Sequence, residues 1–280
     1  MKKQTLIRCI LSISLTIVML YSATVPIFAV DNNEEFIVTT SYNPFLDQNI
    51  ADTRSIIGEN NFDVIVDPQI SPYSAIAKLT IVFSCGCVVE GTGFMVSQNC
   101  MLTAGHCLIC DEDGNGVSSI NACFGLQPDG DTLIDVTVTP NNAIIYRNPN
   151  YTGSQENYDY GYVVFNDNIG NQTGWFCIAS RSNSTLNGMN INVTGYRGGV
   201  MYDCEGQIKA VTNKRVKYDA DTHDGQSGGP VYCIDPTYGA MAVAIHTNGT
   251  DLLNWRNSGW RITAEFISEL ADLGYVTIAN

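Results

Sequence analysis

The sequence predicts an all-β protein with one helix near its C-terminus. Short runs of β-branched and aromatic residues recur along the chain, and turn residues such as Asp113-Gly114 and Asn187-Gly188 separate them. Many short strands with this punctuation are typical of a β-sandwich or a β-barrel. A polar stretch at 166–174 divides the series near its middle. We therefore expect two β-domains, with a cleft between them in which functional groups from both halves can meet.

The predicted elements follow one another at short intervals. A helix is predicted for 263–274, because four apolar residues fall on one stripe, Thr263 can cap its start and Gly274 its end; the stripe consists of Phe266, Ile267, Leu270 and Leu273. The predicted strands are 76–83, 93–96, 100–103, 133–139, 143–146, 160–165, 190–195, 209–217, 230–234 and 241–245.

The first 54 residues read as processing segments. Basic residues, an apolar run and a small residue at Ala29 predict a signal peptide over 1–29. The alternative is a permanent membrane anchor, but the apolar run is short and broken by serines and threonines. The acidic, weakly periodic stretch 30–54 ends in Arg54 and is interpreted as a pro-segment. We expect a secreted zymogen with no stable membrane association.

Charge and cysteine content narrow the class of partner. The formal net charge of −14 disfavours binding to nucleic acid or to an anionic membrane.

Ten cysteines, of which only Cys9 lies in the predicted signal peptide, predict disulfide bonds in an exported chain. The odd number that remains leaves at least one thiol unpaired. Cys107 is the residue most expected to be bridged, with Cys85 or Cys87 as its partner, although connectivity stays open.

The glycine-rich stretch 221–230 carries the most informative residue, Ser227. Gly225 and Gly228 permit backbone conformations that other residues resist. Such a turn can present a hydroxyl group and aim backbone N–H groups at the same point, as acyl transfer requires. By itself a turn of this composition is weak evidence, so the rest of the chain must supply a base and an acid that orients it.

His106 and Asp159 are the candidates for those two roles. His106 follows a strand and small residues that leave an imidazole accessible. A histidine base needs an acceptor on its second ring nitrogen. Asp159 lies at the start of an apolar run, where a carboxylate can be partly buried; Asp135 and Asp167 are its competitors.

Three motifs in the order histidine, aspartate, serine resemble the chymotrypsin-like serine proteases. They are Thr-Ala-Gly-His-Cys at 103–107, Asp159 before an apolar strand, and Gly-Gln-Ser-Gly-Gly-Pro at 225–230. The resemblance covers nearly the whole chain after Arg54. It implies two antiparallel six-stranded β-barrels, at 55–166 and 167–280, with the C-terminal helix packed outside. It also implies an oxyanion hole formed by the N–H groups of Gly225 and Ser227.

Further stretches resemble the bacterial glutamyl endopeptidases, the staphylococcal V8-like branch. They are Ile-Ile-Gly-Glu at 56–59, Asp-Thr at 221–222, Ala-Ile-His-Thr-Asn-Gly at 244–249 and Arg-Ile-Thr at 261–263. In that branch, the residues matching Thr222 and His246 bind a substrate glutamate together with the mature α-amino group. Cleavage after Arg54 assigns that amine to Ser55. A hydroxyl, an imidazole and an amine suit a carboxylate.

Two positions depart from the pattern of animal trypsin-like enzymes or leave alternatives open. Gln226 stands where those enzymes have the aspartate that pairs with the new N-terminus. Asp221 occupies the position of the aspartate that binds substrate lysine or arginine, so trypsin-like specificity is the main alternative. An inactive, protease-like binding module is a third hypothesis.

No metal or organic cofactor is implied by these residues. The stretch 111–116 begins like a calcium loop, but Ala122 occupies the position that requires glutamate, so we interpret it as a solvated turn. The expected partners are protein or peptide substrates, and the expected state is a monomer.

Overall fold

The structure is a computed structural model that describes residues 36–44, 62–249 and 257–279, together with the backbone of 54–56. The predicted signal peptide, much of the predicted pro-segment and the side chain of Ser55 lie outside the described residues. Within the described ranges, no helix is both long enough and apolar enough to cross a membrane. Two β-sheets and a few short helices make up these residues, which confirms the predicted fold class.

The helices and strands are named here in chain order. The helices are α1 (Gly170–Thr173), α2 (Asn183–Leu186) and α3 (Ala264–Asp272), and 3-10 turns lie at Tyr73–Ala75, Gly105–Leu108 and Glu156–Tyr158. The strands are β1 (Ile37–Val38), β2 (Arg54–Ile56), β3 (Phe62–Ile65), β4 (Ile76–Phe83), β5 (Val88–Met95), β6 (Cys100–Thr103), β7 (Val117–Phe124), β8 (Ile134–Val138), β9 (Ala143–Arg147), β10 (Gly161–Phe165), β11 (Cys177–Ser180), β12 (Asn190–Arg197), β13 (Val200–Val211), β14 (Arg215–Tyr218), β15 (Pro230–Asp235), β16 (Gly239–Asn248) and β17 (Asn257–Arg261).

The first sheet has the strand order β8-β7-β4-β5-β6-β10-β9 and is antiparallel throughout. Its edge strands, β8 and β9, are joined by only four residues, 139–142. A link of that length spans at most about 18 Å, so the sheet must curl until its edges approach. No ladder joins β8 to β9 in the described part of the chain, and the result is a curled half-barrel of seven strands instead of the predicted closed barrel of six.

The second sheet contains the closed barrel. Its order is β1-β11-β16-β15-β12-β13-β14-β17, and the additional pairing of β16 with β17 closes the six strands β12–β17 into a ring. Apolar side chains that alternate along these strands fill the interior, including Val193, Val216 and Val231. Strand β3 pairs with β13 on the outside of this ring.

Residues 36–44, which fall in the predicted pro-segment, are part of this second sheet. Strand β1 pairs with β11, with Ile37 opposite Ser180. Val38 is buried, and the ring of Tyr42 lies 4.8 Å from that of Trp175. This portion of the chain therefore packs against the C-terminal half.

The C-terminal helix begins and ends as predicted. The hydroxyl of Thr263 accepts a hydrogen bond from the N–H of Phe266 at 3.4 Å, and Gly274 follows the helix with a φ of +75°. Three of the four stripe residues are buried: Phe266, Ile267 and Leu270. Leu273 is exposed because it lies at the C-cap, where the helix ends.

Candidate active site

His106 and Asp159 are brought together by the pairing of two neighbouring strands. Strand β6 ends just before the 3-10 turn that carries His106, and β10 begins just after Asp159. Because β6 and β10 are antiparallel, with Gly161 opposite Thr103, the end of one lies beside the start of the other. The pairing of β6 with β10 therefore places His106 beside Asp159.

The carboxylate of Asp159 holds His106 through two hydrogen bonds. Its Oδ1 accepts from the backbone N–H of His106 at 2.8 Å, and its Oδ2 lies 2.8 Å from Nδ1 of the ring. A Cβ atom at Gly105 would lie 2.9 Å from the Tyr160 nitrogen and 3.2 Å from Oδ1 of Asp159. Glycine at 105 is therefore required for the two residues to approach this closely.

The electrostatics of the pair favour a protonated imidazole. Asp159 is only 1% exposed, whereas a quarter of the His106 side chain remains accessible. Burial of the ring opposes its protonation, but the adjacent Cys107 sulfur and the Asp159 carboxylate outweigh it, and they hold the pKa of His106 well above its ordinary value. A ring that gains a proton at this place is stabilised as the imidazolium.

The turn that carries Ser227 packs directly on the first sheet. The N–H of Thr92 in β5 donates to the Ser227 carbonyl at 2.8 Å, and the Thr92 hydroxyl donates to the Gly225 carbonyl at 2.8 Å. The sulfur of Cys107 also lies 3.7 Å from the Ser227 carbonyl oxygen. Because Cys107 follows His106 in the chain, these contacts bring the serine turn and the histidine to the same region.

Two glycines give the turn its shape. Gly225 and Gly228 have φ values of +94° and +91°, which side chains resist. A Cβ atom at Gly228 would overlap the carbonyl oxygen of Thr92 and the hydroxyl of Thr103. Only glycine at 228 allows the turn to lie so close to β5 and β6.

The N–H groups of Gly225 and Ser227 have no intramolecular acceptor within the described ranges of the chain, and the Ser227 hydroxyl likewise makes no hydrogen bond there. The side chain of Ser227 is partly exposed. Two free N–H donors beside a hydroxyl can donate hydrogen bonds to a carbonyl oxygen on which negative charge develops. The hydroxyl and the His106 ring are not joined by a hydrogen bond here, and in catalytic sites such bonds often tighten only when substrate is bound.

His246 lies at the other side of the serine turn. Its backbone N–H donates to the Gly229 carbonyl at 2.8 Å, and its carbonyl accepts from the Gly228 N–H at 2.8 Å. Nδ1 lies 2.6 Å from the hydroxyl of Tyr218. Burial, followed by the positive charges of His106 and Arg215, lowers the pKa of His246 to about 3. The ring is thus neutral at physiological pH when no substrate is present.

Arg215 is a buried cation beside this histidine that the sequence reasoning missed. It is 6% exposed, and its guanidinium donates to the hydroxyl of Thr247 at 2.8 Å and to the side-chain oxygen of Asn248 at 2.7 Å. Its acidic partner, Glu156, is more distant at 3.6 Å and mostly exposed. Position 215 lies in a run that reads as an ordinary strand, so only the fold reveals where its charge lies.

The remaining predicted pocket residues are less constrained. Thr222 is half-buried and Asp221 is exposed. His223, which follows Thr222 and was not predicted to line the pocket, stacks its ring on Phe62, with centroids 4.0 Å apart. For Ser55 the structure gives only the backbone, which pairs with Val64.

The two competitors of Asp159 lie on the surface. Asp135 is exposed on β8, where its carboxylate accepts from the side chain of Asn121, and Asp167 is exposed after β10. Neither makes a hydrogen bond with His106 in the described part of the chain, where Asp159 accepts from the ring.

The cysteines differ from expectation. The prediction that Cys107 pairs with Cys85 or Cys87 is wrong, because those two thiols lie beside Cys110 and Cys107 packs against Gly91. One group of side chains among the described residues could hold a metal ion, and we call it the thiol cluster: Cys85, Cys87 and Cys110. Sequence reasoning had no signal for it beyond the Cys-x-Cys spacing at 85–87.

Comparison with known proteins adds independent findings. Residues 91–239 match the family model described as a trypsin-like peptidase domain. A Bacillus subtilis protein named extracellular metalloprotease is 31% identical over 237 residues, which cover 80% of this chain and 72% of that protein. A glutamyl endopeptidase of Bacillus licheniformis is 28% identical over 228 residues, covering 78% and 69% respectively. A solved Glu endopeptidase superposes with a TM-score of 0.63 at 22% identity, over 79% of this chain and 99% of that one, and shares its fold.

Proposed function

The chain belongs to the trypsin-like peptidase family and is a serine endopeptidase, and we propose that it is exported and cleaves after glutamate through His106, Asp159 and Ser227. The expected resemblance to the glutamyl endopeptidases is confirmed by relatives that carry that name. The observation that carries the proposed triad is the paired hydrogen bonding of His106 by a buried Asp159, next to the turn of Ser227. Protein substrates follow from the family.

In the first chemical step, the Ser227 hydroxyl attacks the scissile carbonyl carbon while Nε2 of His106 takes its proton. The carbonyl oxygen becomes an oxyanion and accepts hydrogen bonds from the N–H groups of Gly225 and Ser227. One such donor typically contributes about 3–4 kcal/mol to the stabilisation of the transition state. Because both donors have no other acceptor in the described part of the chain, no internal bond has to be broken to supply them.

In the second step, His106 returns the proton to the leaving amine, and the acyl group stays on Ser227. Water then repeats the sequence in reverse, with His106 again as the base. Asp159 keeps Nδ1 protonated and stabilises the imidazolium through both steps. The raised pKa of His106 is consistent with this role.

Specificity for glutamate is supported by the charge and donors around His246. Positive charge near His246 comes from His106 when its ring is protonated and from buried Arg215, since His246 itself is neutral in the empty site. A substrate carboxylate that enters would favour protonation of His246, because a nearby negative charge raises the pKa of an imidazole. Thr222 and the α-amino group of Ser55 are proposed to complete the set of donors.

The proposed pocket is tested by mapping cleavage sites in a peptide mixture. Glutamate before most scissile bonds supports the pocket, and a matched pair of peptides with glutamate or glutamine at that position measures the contribution of the charge. Lysine or arginine there would instead favour Asp221 as the specificity residue. No cleavage at all, with the fold intact, would favour the binding module.

The proposed triad is tested by Ser227→Ala. We expect this variant to lose hydrolysis and acyl-enzyme formation while its unfolding midpoint stays unchanged; retained hydrolysis would refute the assignment. The name of the Bacillus subtilis relative raises a metal-dependent reaction as the contrasting case. Labelling with a fluorophosphonate separates the two, because the Ser227 mechanism predicts that the labelled enzyme loses its activity, whereas a metal-dependent hydrolase would keep it.

Export and activation are also part of the proposal. We expect the protein in the culture medium to begin at Ser55 when it is active, because cleavage after Arg54 frees the proposed α-amino group. N-terminal sequencing of the active form measures this directly. An active form that begins at Val30 would contradict activation at Arg54.

A further inference from the structure

The thiol cluster lies outside the proposed active site and has no role in its chemistry. Cys85 and Cys87 come from the turn between β4 and β5, and Cys110 comes from the loop between the His106 turn and β7. The three sulfur atoms all lie within 4.8 Å of one another, and those of Cys85 and Cys110 are 3.5 Å apart. Cys110 is buried, while Cys85 is exposed.

The spacing of the sulfur atoms matches a metal-thiolate site. In a tetrahedral site with Zn–S bonds of about 2.3 Å, two sulfurs are about 3.8 Å apart. The observed separations, from 3.5 Å to at most 4.8 Å, bracket this value. A disulfide would require a sulfur–sulfur distance of about 2.05 Å and would use only two of the three thiols.

An exposed carboxylate lies beside one of the three thiols and can turn towards the other two. Oε2 of Glu112 lies 3.4 Å from the sulfur of Cys87. With a Zn–O bond of about 2.0–2.2 Å, the sulfur-to-oxygen edge of the same tetrahedron is about 3.5–3.7 Å. The Asp113 carboxylate lies near the thiols of Cys85 and Cys110, but it accepts from both the backbone and side-chain nitrogens of Asn115. Glu112 is therefore the freer ligand.

The two segments that present the thiols are held to each other without a metal. Ser84 donates its backbone N–H to the Gly116 carbonyl at 3.1 Å, which joins the two segments. Within the segment that carries Cys110, the N–H of Cys110 donates to the Asn115 carbonyl at 2.9 Å. Gly114 closes the second turn by donating to the Cys110 carbonyl at 2.8 Å. Such preorganisation reduces the entropy lost when a ligand binds.

We propose that Cys85, Cys87, Cys110 and Glu112 bind one structural Zn²⁺ ion. Thiolates bind Zn²⁺ in preference to harder cations such as Mg²⁺ or Ca²⁺. Binding converts the three thiols to thiolates and releases three protons, so the ion and its four anionic ligands carry a net charge of −2. Four protein ligands fill the tetrahedron, which is typical of a structural site and leaves no open position for catalysis.

The expected consequence is a tighter attachment of the segment that carries His106. Cys110 is four residues after His106, and Cys85 and Cys87 lie in the turn that joins β4 to β5. The ion would therefore tie the histidine segment to the first sheet. An ion that binds the folded state stabilises it in proportion to the logarithm of its concentration over Kd.

The proposal is tested on the full secreted chain, purified without chelator and then titrated with Zn²⁺ or Cd²⁺. We expect one Zn²⁺ per chain by elemental analysis, and a Cd²⁺–thiolate charge-transfer band that falls by about a third in Cys87→Ser, since one thiolate in three is lost. Glu112→Gln should keep the full band intensity but weaken binding. Cys123→Ser, a half-buried cysteine outside the cluster, is the matched control and should change neither.

Two results would overturn the proposal. One is a Cys85–Cys110 disulfide found by peptide mapping of the secreted protein. The other is a folded, fully reduced protein that binds no Zn²⁺ or binds it equally well when Cys87 is replaced. Because chelation is measured on metal content and thermal midpoint, and labelling of Ser227 is measured separately, failure of this site is distinguishable from failure of the proposed protease mechanism.

Discussion

Replacing Asp159 with asparagine isolates the role of the carboxylate while preserving its size. Asp159 makes two hydrogen bonds of 2.8 Å, one from the His106 backbone N–H and one with Nδ1. The amide oxygen of asparagine can still accept from the backbone. Its NH₂ group then faces Nδ1, and because it can only donate, the ring must carry its proton on Nε2. A ring in that tautomer cannot take the proton of Ser227.

The magnitude follows from what the carboxylate supplies. A hydrogen bond to a charged group contributes about 1.5–3 kcal/mol, and the cost of the wrong tautomer adds to it. In a serine protease triad the same change lowers kcat about 10⁴-fold. We therefore expect a loss of about 10³–10⁴-fold in kcat/KM, equivalent to about 4–5.4 kcal/mol at 1.36 kcal/mol per tenfold.

The assay is kcat/KM for a peptide substrate as a function of pH. In the unmodified enzyme the base is neutral only above the raised pKa of His106, so activity should rise with pH through a midpoint above about 6.5. Asp159→Asn should move that midpoint to lower pH. Asp135→Asn and Asp167→Asn are matched controls on exposed aspartates. A loss of less than tenfold, or an equal loss in the controls, would show that the Asp159 carboxylate does not orient His106.

The remaining predictions concern packing, specificity and pH. Gly105→Ala should destabilise the protein by about 1–3 kcal/mol and lower kcat/KM, because its Cβ meets Tyr160 and Asp159; Gly116→Ala, whose Cβ meets nothing within 4 Å, is the control in denaturant unfolding. Arg215→Met should lower the ratio of kcat/KM for glutamate over glutamine peptides more than Arg215→Lys does; an unchanged ratio would show that Arg215 does not supply the charge. His246 has a folded pKa of about 3 against about 6.5 unfolded, so stability should fall with decreasing pH between those values by up to about 1.4 kcal/mol per pH unit, and His246→Gln should remove this component in thermal unfolding across pH.

Local patterns predicted the elements that build the site. Strands β4 and β6 begin and end as expected, since turn residues lie on both sides of each. Burial largely alternates along β4, and every residue of β6 is buried. The helix ends could be predicted because Thr263 acts through a local hydrogen bond and Gly274 through its backbone conformation. His106, Asp159 and Ser227 were named from motifs, and the fold brings their segments into one region.

Features that depend on tertiary contacts could not be predicted from the sequence. The predicted strand 209–217 is the end of β13 and the start of β14, because the turn at 212–214 contains neither glycine nor proline to mark it. Strand β7 was missed since serine and asparagine occupy its outward positions. The thiol cluster joins residues 25 apart through two turns, and its geometry exists only when β4, β5 and the His106 loop are packed.

The proposed mechanism requires that Ser227 is a nucleophile activated by His106. A fluorophosphonate probe tests it most directly, because it reacts only with a serine whose proton a base removes. We predict one probe per chain, located on the peptide that contains Ser227, and no labelling in Ser227→Ala or His106→Ala variants that retain the fold. Labelling at another residue, or an active enzyme that the probe does not modify, would contradict the claim.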